Sequence, residues 1–397
     1  MAGEITLNQL LQAPVISRVV SQLRTPMAAF QQYFGMTPGS SSATERVTGD
    51  NVSWDIFNRT RTMAKIRPRG SGPPRTAEKP IGANSATIVR MHDSIHLEQE
   101  KIFRTRPLGQ NFDGQNLDVM GQNYVERQLQ FLTQRFRNGR EFMLSRLFRG
   151  GFGVKLTSMD NMDFCELDDT SAFFTVDYQI PAANKTYLEM GTGANLIDSS
   201  WDNPTTDIIG QLYNIRKAGI RLTGFDITEF WCDSTTFTNL QKNTGLATVA
   251  GSSNTVFQSI SGADMKSEEA DAAKGFTVKM KALPLFTFHV YDGVLNIPGY
   301  VDSNVSAATA TTVANSSQFV PSGKIIGHPS ASSAWLGCAE GSEIVAESYV
   351  DPGKHVHGFH TWKNRTILPP GWDLIAVDNW LPILYIPQAT VYGTVTF

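Results

Sequence analysis

The chain is 397 residues long, enough for two or three separately packed regions rather than one small core. Its 34 lysines and arginines against 37 aspartates and glutamates leave a formal charge of -3, which excludes a histone-like condenser of nucleic acid and moves attention to how the charge is distributed. No run approaches about 18 consecutive apolar residues, and the opening MAGEITLNQLLQAPVISRVVSQ lacks the basic and apolar segments of a secretory signal, so the expectation is a protein without membrane association, made and assembled in cytoplasm.

Three cysteines, Cys165, Cys232 and Cys338, stand far apart with no C-x-x-C pair, which fits free buried thiols in a reducing compartment. Residues 1–50 carry small apolar groups (Leu7, Leu10, Leu11, Val15, Ile16, Val19, Val20) and then the polar GMTPGSSSATERVTGDN, an arm with too little apolar material to fold alone.

Residues 51–94 read as a long hairpin. NVSWDIF alternates through Val52, Trp54 and Ile56, and SATIVRM offers the return side through Ile88 and Met91. Between them RPRGSGPPRTAEKPIG is unsuited to a central strand, because proline removes a ladder donor. Arg59, Arg61, Lys65, Arg67, Arg69, Arg75 and Lys79 face only Asp55 and Glu78 there, so the tip is a positive projection on a slightly negative protein.

The strongest helix signal covers residues 117–148. Val125, Leu129, Leu132, Phe136, Met143 and Leu147 form the expected core stripe, with a seven-residue gap spanning Gly139 and Arg140. Arg127, Arg135, Arg137 and Arg140 are assigned to the helix surface, with Arg146 beside them. A continuous helix there is about 48 Å long at roughly 1.5 Å per residue, a structural spine.

Gly150, Gly151 and Gly153 open a strand-rich stretch that includes SAFFTVDYQI and KTYLEM. A helix is expected after Trp201, capped by Asp202 or Asn203 with Pro204 in its first turn, striped by Ile208, Leu212 and Ile215, and ended by Gly219. LTGFDITEFWC follows as a strand and DSTTFTNLQ as a short capped helix, which argues for a mixed α/β region. Between 250 and 345, FTVKM, LFTFHVYDG and AWLGCA read as strands among loop-like insertions. The stretch KHVHGFHTWKNRTILPPGW reads as loop-rich, and DLIAVDN and LPILYIPQATVYGTVTF as two apolar strands returning to earlier sheets.

Catalytic signals are weak. His355, His357 and His360 are the tightest group of potential metal ligands, with Asp351 as a further oxygen donor, but their spacing fixes no geometry and no H-E-x-x-H helix exists, so no metal is assigned. GGFG at 150–153 follows a helix where a dinucleotide fingerprint needs a strand, and SGK at 322–324 lacks the glycine of a Walker A loop. No G-x-S-x-G elbow occurs, and Glu268 with Glu269 reads as solvated loop. The expectation is a non-enzyme with no cofactor. The basic residues of hairpin and spine suit acidic surfaces on neighbouring copies better than phosphate.

The order of these parts, from arm and hairpin through VERQLQFLTQRFRNGREFMLSRLFRG and WDNPTTDIIGQLYNIRKAG to the return from SYVDPGK to LPILYIPQATVYGTVTF, resembles the lambda-like major capsid family of tailed bacteriophages. That resemblance implies an α+β, HK97-like capsid fold. Its expected parts are an N-terminal arm (1–50), an extended loop (51–94), a peripheral domain with the spine (95–200), a mixed α/β axial domain (201–375) and a C-terminal return (376–397). It implies assembly as hexamers and pentamers into an icosahedral head around double-stranded DNA, located in the virion capsid after assembly in the host bacterial cytoplasm. Implied partners are further copies of the chain, scaffolding protein, portal protein, a decoration protein and nonspecific contact with the packaged DNA. The loop residues Arg59, Arg61, Lys65, Arg67, Arg69, Arg75 and Lys79 are then the expected intersubunit contacts. A nucleic-acid-binding structural protein and, more distantly, a metal-dependent enzyme using His355, His357 and His360 are the competing readings.

Overall fold

The structure, a computed structural model, describes residues 28–38, 45–56, 82–98, 119–158, 161–182, 184, 197–250, 257–259, 275–280, 285–296, 316–330, 335–345, 353–366 and 371–396. A short helix, α1 (Ala29–Phe34), comes first and is followed by β1 (Glu45–Val47) and β2 (Asn51–Ile56). Strand β2 buries Val52, Trp54 and Ile56 and exposes Asn51, Ser53 and Asp55, the alternation that one buried face demands. It pairs antiparallel with β3 (Gly82–Thr87). The basic tip between them, with all seven of its expected contact residues from Arg59 to Lys79, lies outside the described residues. SATIVRM does not form one hairpin strand. Ser85–Thr87 complete β3, Ile88 is buried at the crossover, and β4 (Val89–Glu98) carries Met91 into a different sheet.

The spine, α2, runs Val119–Arg149, about 46 Å at roughly 1.5 Å per residue. It leads into β5 (Gly151–Ser158), β6 (Asn161–Cys165) and β7 (Ala172–Asp177), a three-stranded antiparallel sheet with β5 in the middle. KTYLEM lies outside the described residues.

Helix α3 (Ile208–Thr223) buries Ile208, Leu212 and Ile215 but has other boundaries than its sequence suggests. Asp207, not Asp202 or Asn203, caps it by accepting from the Gly210 amide, because Asn203 is spent on a turn with Thr205. Gly224, at φ 78°, ends it instead of Gly219, which sits inside the helix where Ile227 packs. Then come β8 (Glu229–Cys232), α4 (Ser234–Lys242) capped by Asp233, and α5 (Thr244–Ala250). Further along are β9 (Phe257–Ser259), β10 (Phe276–Met280), β11 (Thr287–Val290), β12 (Val294–Asn296), β13 (Ser316–Gln318) and β14 (Lys324–His328).

The last part departs most from expectation. After β15 (Leu336–Val345), KHVHGFHTWKNRT forms two strands, β16 (Lys354–His357) and β17 (Phe359–Thr366), rather than loop. The two expected apolar strands begin as one, β18 (Gly371–Leu384), which continues through Pro382. A 3₁₀ turn at Pro387–Ala389 then redirects the chain into β19 (Val391–Thr394).

Strand β18 organises the first six-stranded sheet. One edge is covered by β4 along Gly371–Trp380; the other is shared by β17 along Gly371–Asp378 and β15 along Trp380–Leu384. Strands β1 and β16 extend β15. The second six-stranded sheet has the order β19-β14-β8-β11-β10-β9, with β8 and β11 parallel. Helices α3 and α4 cover one of its faces through Leu212, Ile215, Phe237 and Leu240 against Phe230, Phe288 and Val290. Its other face presents Trp231 and Ile326 to the largest core, which also holds α1, the end of α2, β2 and the end of β18.

Candidate assembly interface

The stiffness of the body starts in the spine. Val125, Leu129, Leu132 and Phe136 pack on Leu97, Leu374 and Ala376 of β4 and β18. The opposite side of that half exposes Arg127 and Phe131, and Arg135 there pairs with Asp93. Met143 and Leu147 belong to the larger core, and every residue from Gly139 to Phe148 is buried.

The arginines of that second half correct the sequence reading. Arg137 and Arg140 are not on the surface: they are 3% and 1% exposed. Burial lowers the Arg137 pKa, and neighbouring Arg140 lowers it further. Arg140 makes a two-pronged pair with Asp378 of β18, Nε to Oδ2 and Nη2 to Oδ1 both at 2.6 Å, while Nη1 donates to the Met36 carbonyl at 3.3 Å. Its guanidinium also lies 4.8 Å from the ring centroid of Trp380. Asp378 sits where β17 hands over to β15 and points, like Leu374 and Ala376, toward the spine. Two charges removed from water cost several kcal/mol each unless geometry and hydrogen bonds compensate, and this fork-to-carboxylate arrangement supplies both. Arg146, likewise buried, pairs with Glu166 at 3.0 Å.

Glu141, next to the pair, docks the arm. It is fully buried, and its carboxylate accepts from the Phe30 and Gln31 amides at 2.8 and 3.1 Å and from Gln31 Nε2 at 2.9 Å. Those amides are at the open N-terminus of α1, where no intrahelical acceptor exists, so α2 caps α1. Gln31 Nε2 also reaches the Arg137 carbonyl at 2.6 Å. Held this way, α1 is an aromatic wedge: the Phe30 ring centroid is 5.7 Å from that of Phe148 on the spine and 4.2 Å from that of Trp231 on the second sheet. Tyr33 meets His289 edge-on at 4.6 Å. The first residues of the described arm therefore join the two halves of the same chain.

Histidines in this wedge are structural. His328 accepts from Trp231 Nε1 at 2.8 Å and donates from Nδ1 to the Pro329 carbonyl at 2.6 Å, and burial pushes its pKa down to about 3. His289 lies between Glu229 and Thr277. His355 and His357 share β16, and His360 lies on β17 across the Gly358 turn, where its ring stacks on Trp362. Among the described residues no three His, Cys, Asp or Glu side chains gather as a metal site. Cys165, Cys232 and Cys338 are free and buried. No helix among the described residues is long and apolar enough to cross a membrane.

Two measurements test this arrangement. Changing Arg140 to Met alone, or Asp378 to Leu alone, leaves one unpaired buried charge and is expected to cost about 3–5 kcal/mol of unfolding free energy, whereas the double change recovers most of that loss. Equal additive losses in the double variant contradict the pairing. The second concerns Glu141, whose carboxyl burial pushes up from 4.5 to about 7 despite the donors from Phe30 and Gln31. The folded chain thus keeps a proton that the unfolded chain gives up. Stability from this group is complete below about pH 4.5 and is lost as pH rises through about 7. Relative to Glu141→Gln, the native chain is expected to lose on the order of 3 kcal/mol across that window. A pH-independent difference in denaturation midpoints contradicts it.

The sequence profile of the family described as "Phage major capsid protein E" matches residues 27–395. No curated protein sequence matches the chain. The fold is similar to the solved structure of the putative capsid protein of a prophage from E. coli CFT073, at 11% identity, with 99% of this chain and 100% of that one covered and a TM-score of 0.51. A phage-related protein from Bordetella bronchiseptica RB50 matches at 8% identity, 99% and 98% coverage and a TM-score of 0.49. The capsid of the Myoviridae phage XM1 matches at 11% identity, 99% coverage of each chain and a TM-score of 0.43. At such identities the likeness concerns the fold, which is the HK97-like α+β capsid fold. With the profile spanning the arm helix, the spine, both large sheets and the terminal strand, the chain belongs to the phage major capsid protein E family.

Proposed function

We propose that this major capsid protein acts as a stiff tile carrying a basic clasp. The tile is the body formed by the spine, the sheet around β18 and the second sheet, joined by α1. The clasp is the loop between β2 and β3, which holds seven lysines and arginines against one acid within residues 57–81. In this reading the loop attaches to neighbouring copies through Arg67, Arg69, Arg75 and the other basic residues, the three-stranded sheet and spine form the peripheral part, and the second sheet with α3 and α4 forms the axial part around the pentamer and hexamer centres. The observation that carries it is the match of one capsid family over nearly the whole chain.

Work by assembly needs no catalytic centre, so the chain is assigned no enzymatic turnover and no cofactor. A shell of repeated subunits closes through heterologous contacts that form rings. Scaffolding protein, portal protein and a decoration protein are the expected further partners, with assembly in the host bacterial cytoplasm. Packaged DNA meets the inner face nonspecifically, and the net charge of -3 keeps that contact weak and salt-sensitive.

Expression with a scaffolding protein is expected to give closed particles by negative-stain microscopy, and persistent monomers under those conditions contradict the reading. Replacing Arg67, Arg69 and Arg75 together with Ala is expected to cut particle yield at least tenfold while leaving the monomer's thermal midpoint within about 2 °C, since loop surface changes stay within about 0.5 kcal/mol. Unchanged yield removes the clasp role.

A further inference from the structure

Helix α1 borrows its order from its neighbours, since six residues are too few to hold a helix in water. Two adjacent spine residues clamp it end to end. Glu141 accepts the Phe30 and Gln31 amides at its start, and Arg140 Nη1 donates to the Met36 carbonyl just past the left-handed Gly35 at its finish. Gln31 Nε2 ties it to the Arg137 carbonyl as well. Its rings wedge between the two halves of the chain, Phe30 against Phe148 and Trp231, and Tyr33 against Trp231 and His289. A segment ordered by contacts of this kind can open as its own cooperative unit, at a free energy below that of global unfolding.

The clamp at the start places a carboxyl where water does not reach it. Glu141 is fully buried, and the groups that meet it are neutral: the Phe30 and Gln31 amides, the Gln31 side-chain amide, and the hydroxyl of Tyr291 just beyond β11. Burial raises the pKa of that hydroxyl well above its ordinary value, so it stays protonated. On the spine, Asp378 engages the charge of Arg140, and Arg137 is buried one turn before Glu141. The one ionisable side chain of α1, Tyr33, is turned to His289, which lies against Glu229 and Thr277. A carboxylate in such a seat costs more than the neutral acid, because neutral donors replace its lost hydration in part. Lifting α1 removes those donors and opens the carboxyl to water, where the ionised form wins at neutral pH.

We propose that α1 is a proton-operated latch: it opens locally, ahead of the rest of the fold, and its closing onto the spine takes up one proton on Glu141. Because the wedge spans Phe148 on the spine and Trp231 on the second sheet, the state of this one carboxyl sets how firmly the two halves of the chain are joined. The closed form holds the proton up to about pH 7, whereas the open form releases it near 4.5. The latch is therefore tightest below about pH 4.5, loosens through that window and changes little above it. Over the whole window the opening equilibrium rises about 300-fold.

Hydrogen–deuterium exchange of the full chain, read by mass spectrometry and corrected for the intrinsic pH dependence of amide exchange, tests this. In peptides covering residues 28–36, which report the Phe30, Gln31, Gln32 and Met36 amides, the opening constant is expected to rise on the order of fiftyfold or more between about pH 5 and about pH 8, most of it below pH 7. Spine peptides from residues 139–148 are expected to stay protected throughout. Glu141→Gln is expected to abolish the rise, and Phe30→Ala to raise opening at every pH while keeping the same pH dependence. A flat profile for residues 28–36 overturns the proposal, as does exchange of these residues in step with the spine, or a rise that persists in Glu141→Gln. Should that variant fail to fold, the native profile of α1 against that of the spine still decides the matter.

Discussion

The Arg140–Asp378 pair is the interaction on which the rest of the structure depends. It fixes the register in which the spine packs on β18, and β18 in turn holds β4, β15 and β17. Apolar stripes alone allow a helix to slide or rotate on a sheet; a fully buried fork-to-carboxylate pair allows one register, because any other strands two charges in a dry interior. One residue further, Glu141 uses that register to seat α1, so the position of the arm follows from the position of the spine. Glu340, raised in pKa by its burial and 3.6 Å from Arg46, extends the charged layer to β1.

This arrangement suits a shell. A subunit that repeats in pentamers and hexamers must keep its shape while its contacts adapt, and the wedge of Phe30 and Tyr33 between Phe148, Trp231 and His289 joins two large sheets into one body. The same economy explains the buried histidines: His328, held neutral between Trp231 and the Pro329 carbonyl, completes the wedge without adding a charge to it.

The element order, the spine and most short strands were legible because their periodicity is local: the buried stripe from Val125 to Leu147 and the alternation of β2 follow rules that one segment obeys alone. What is not legible lies where a distant partner changes what a residue means. Arg140 looked like surface because it is charged, yet it lies four residues after Phe136 and three before Met143, on the stripe itself, and the gap it shares with Gly139 was the available signal. Gly139 fills the other half of that gap, since a side chain there runs into the Met91 thioether of β4. Nothing near Asp378 or Glu141 in the sequence announces their partners, which are 238 and at least 110 residues away. β16 and β17 are not legible for a related reason: their histidines, lysine and asparagine sit in a sheet because β15 and β18 offer them a ladder, not because their own pattern demands it.

The most direct measurement is a cryo-electron microscopy reconstruction of assembled particles at side-chain resolution. The account predicts an icosahedral shell in which Arg140 is paired with Asp378, and Glu141 with the start of α1, inside every subunit regardless of its place in a pentamer or hexamer. A helical tube, or a shell in which α1 leaves its own spine to seat on a neighbour, would contradict it.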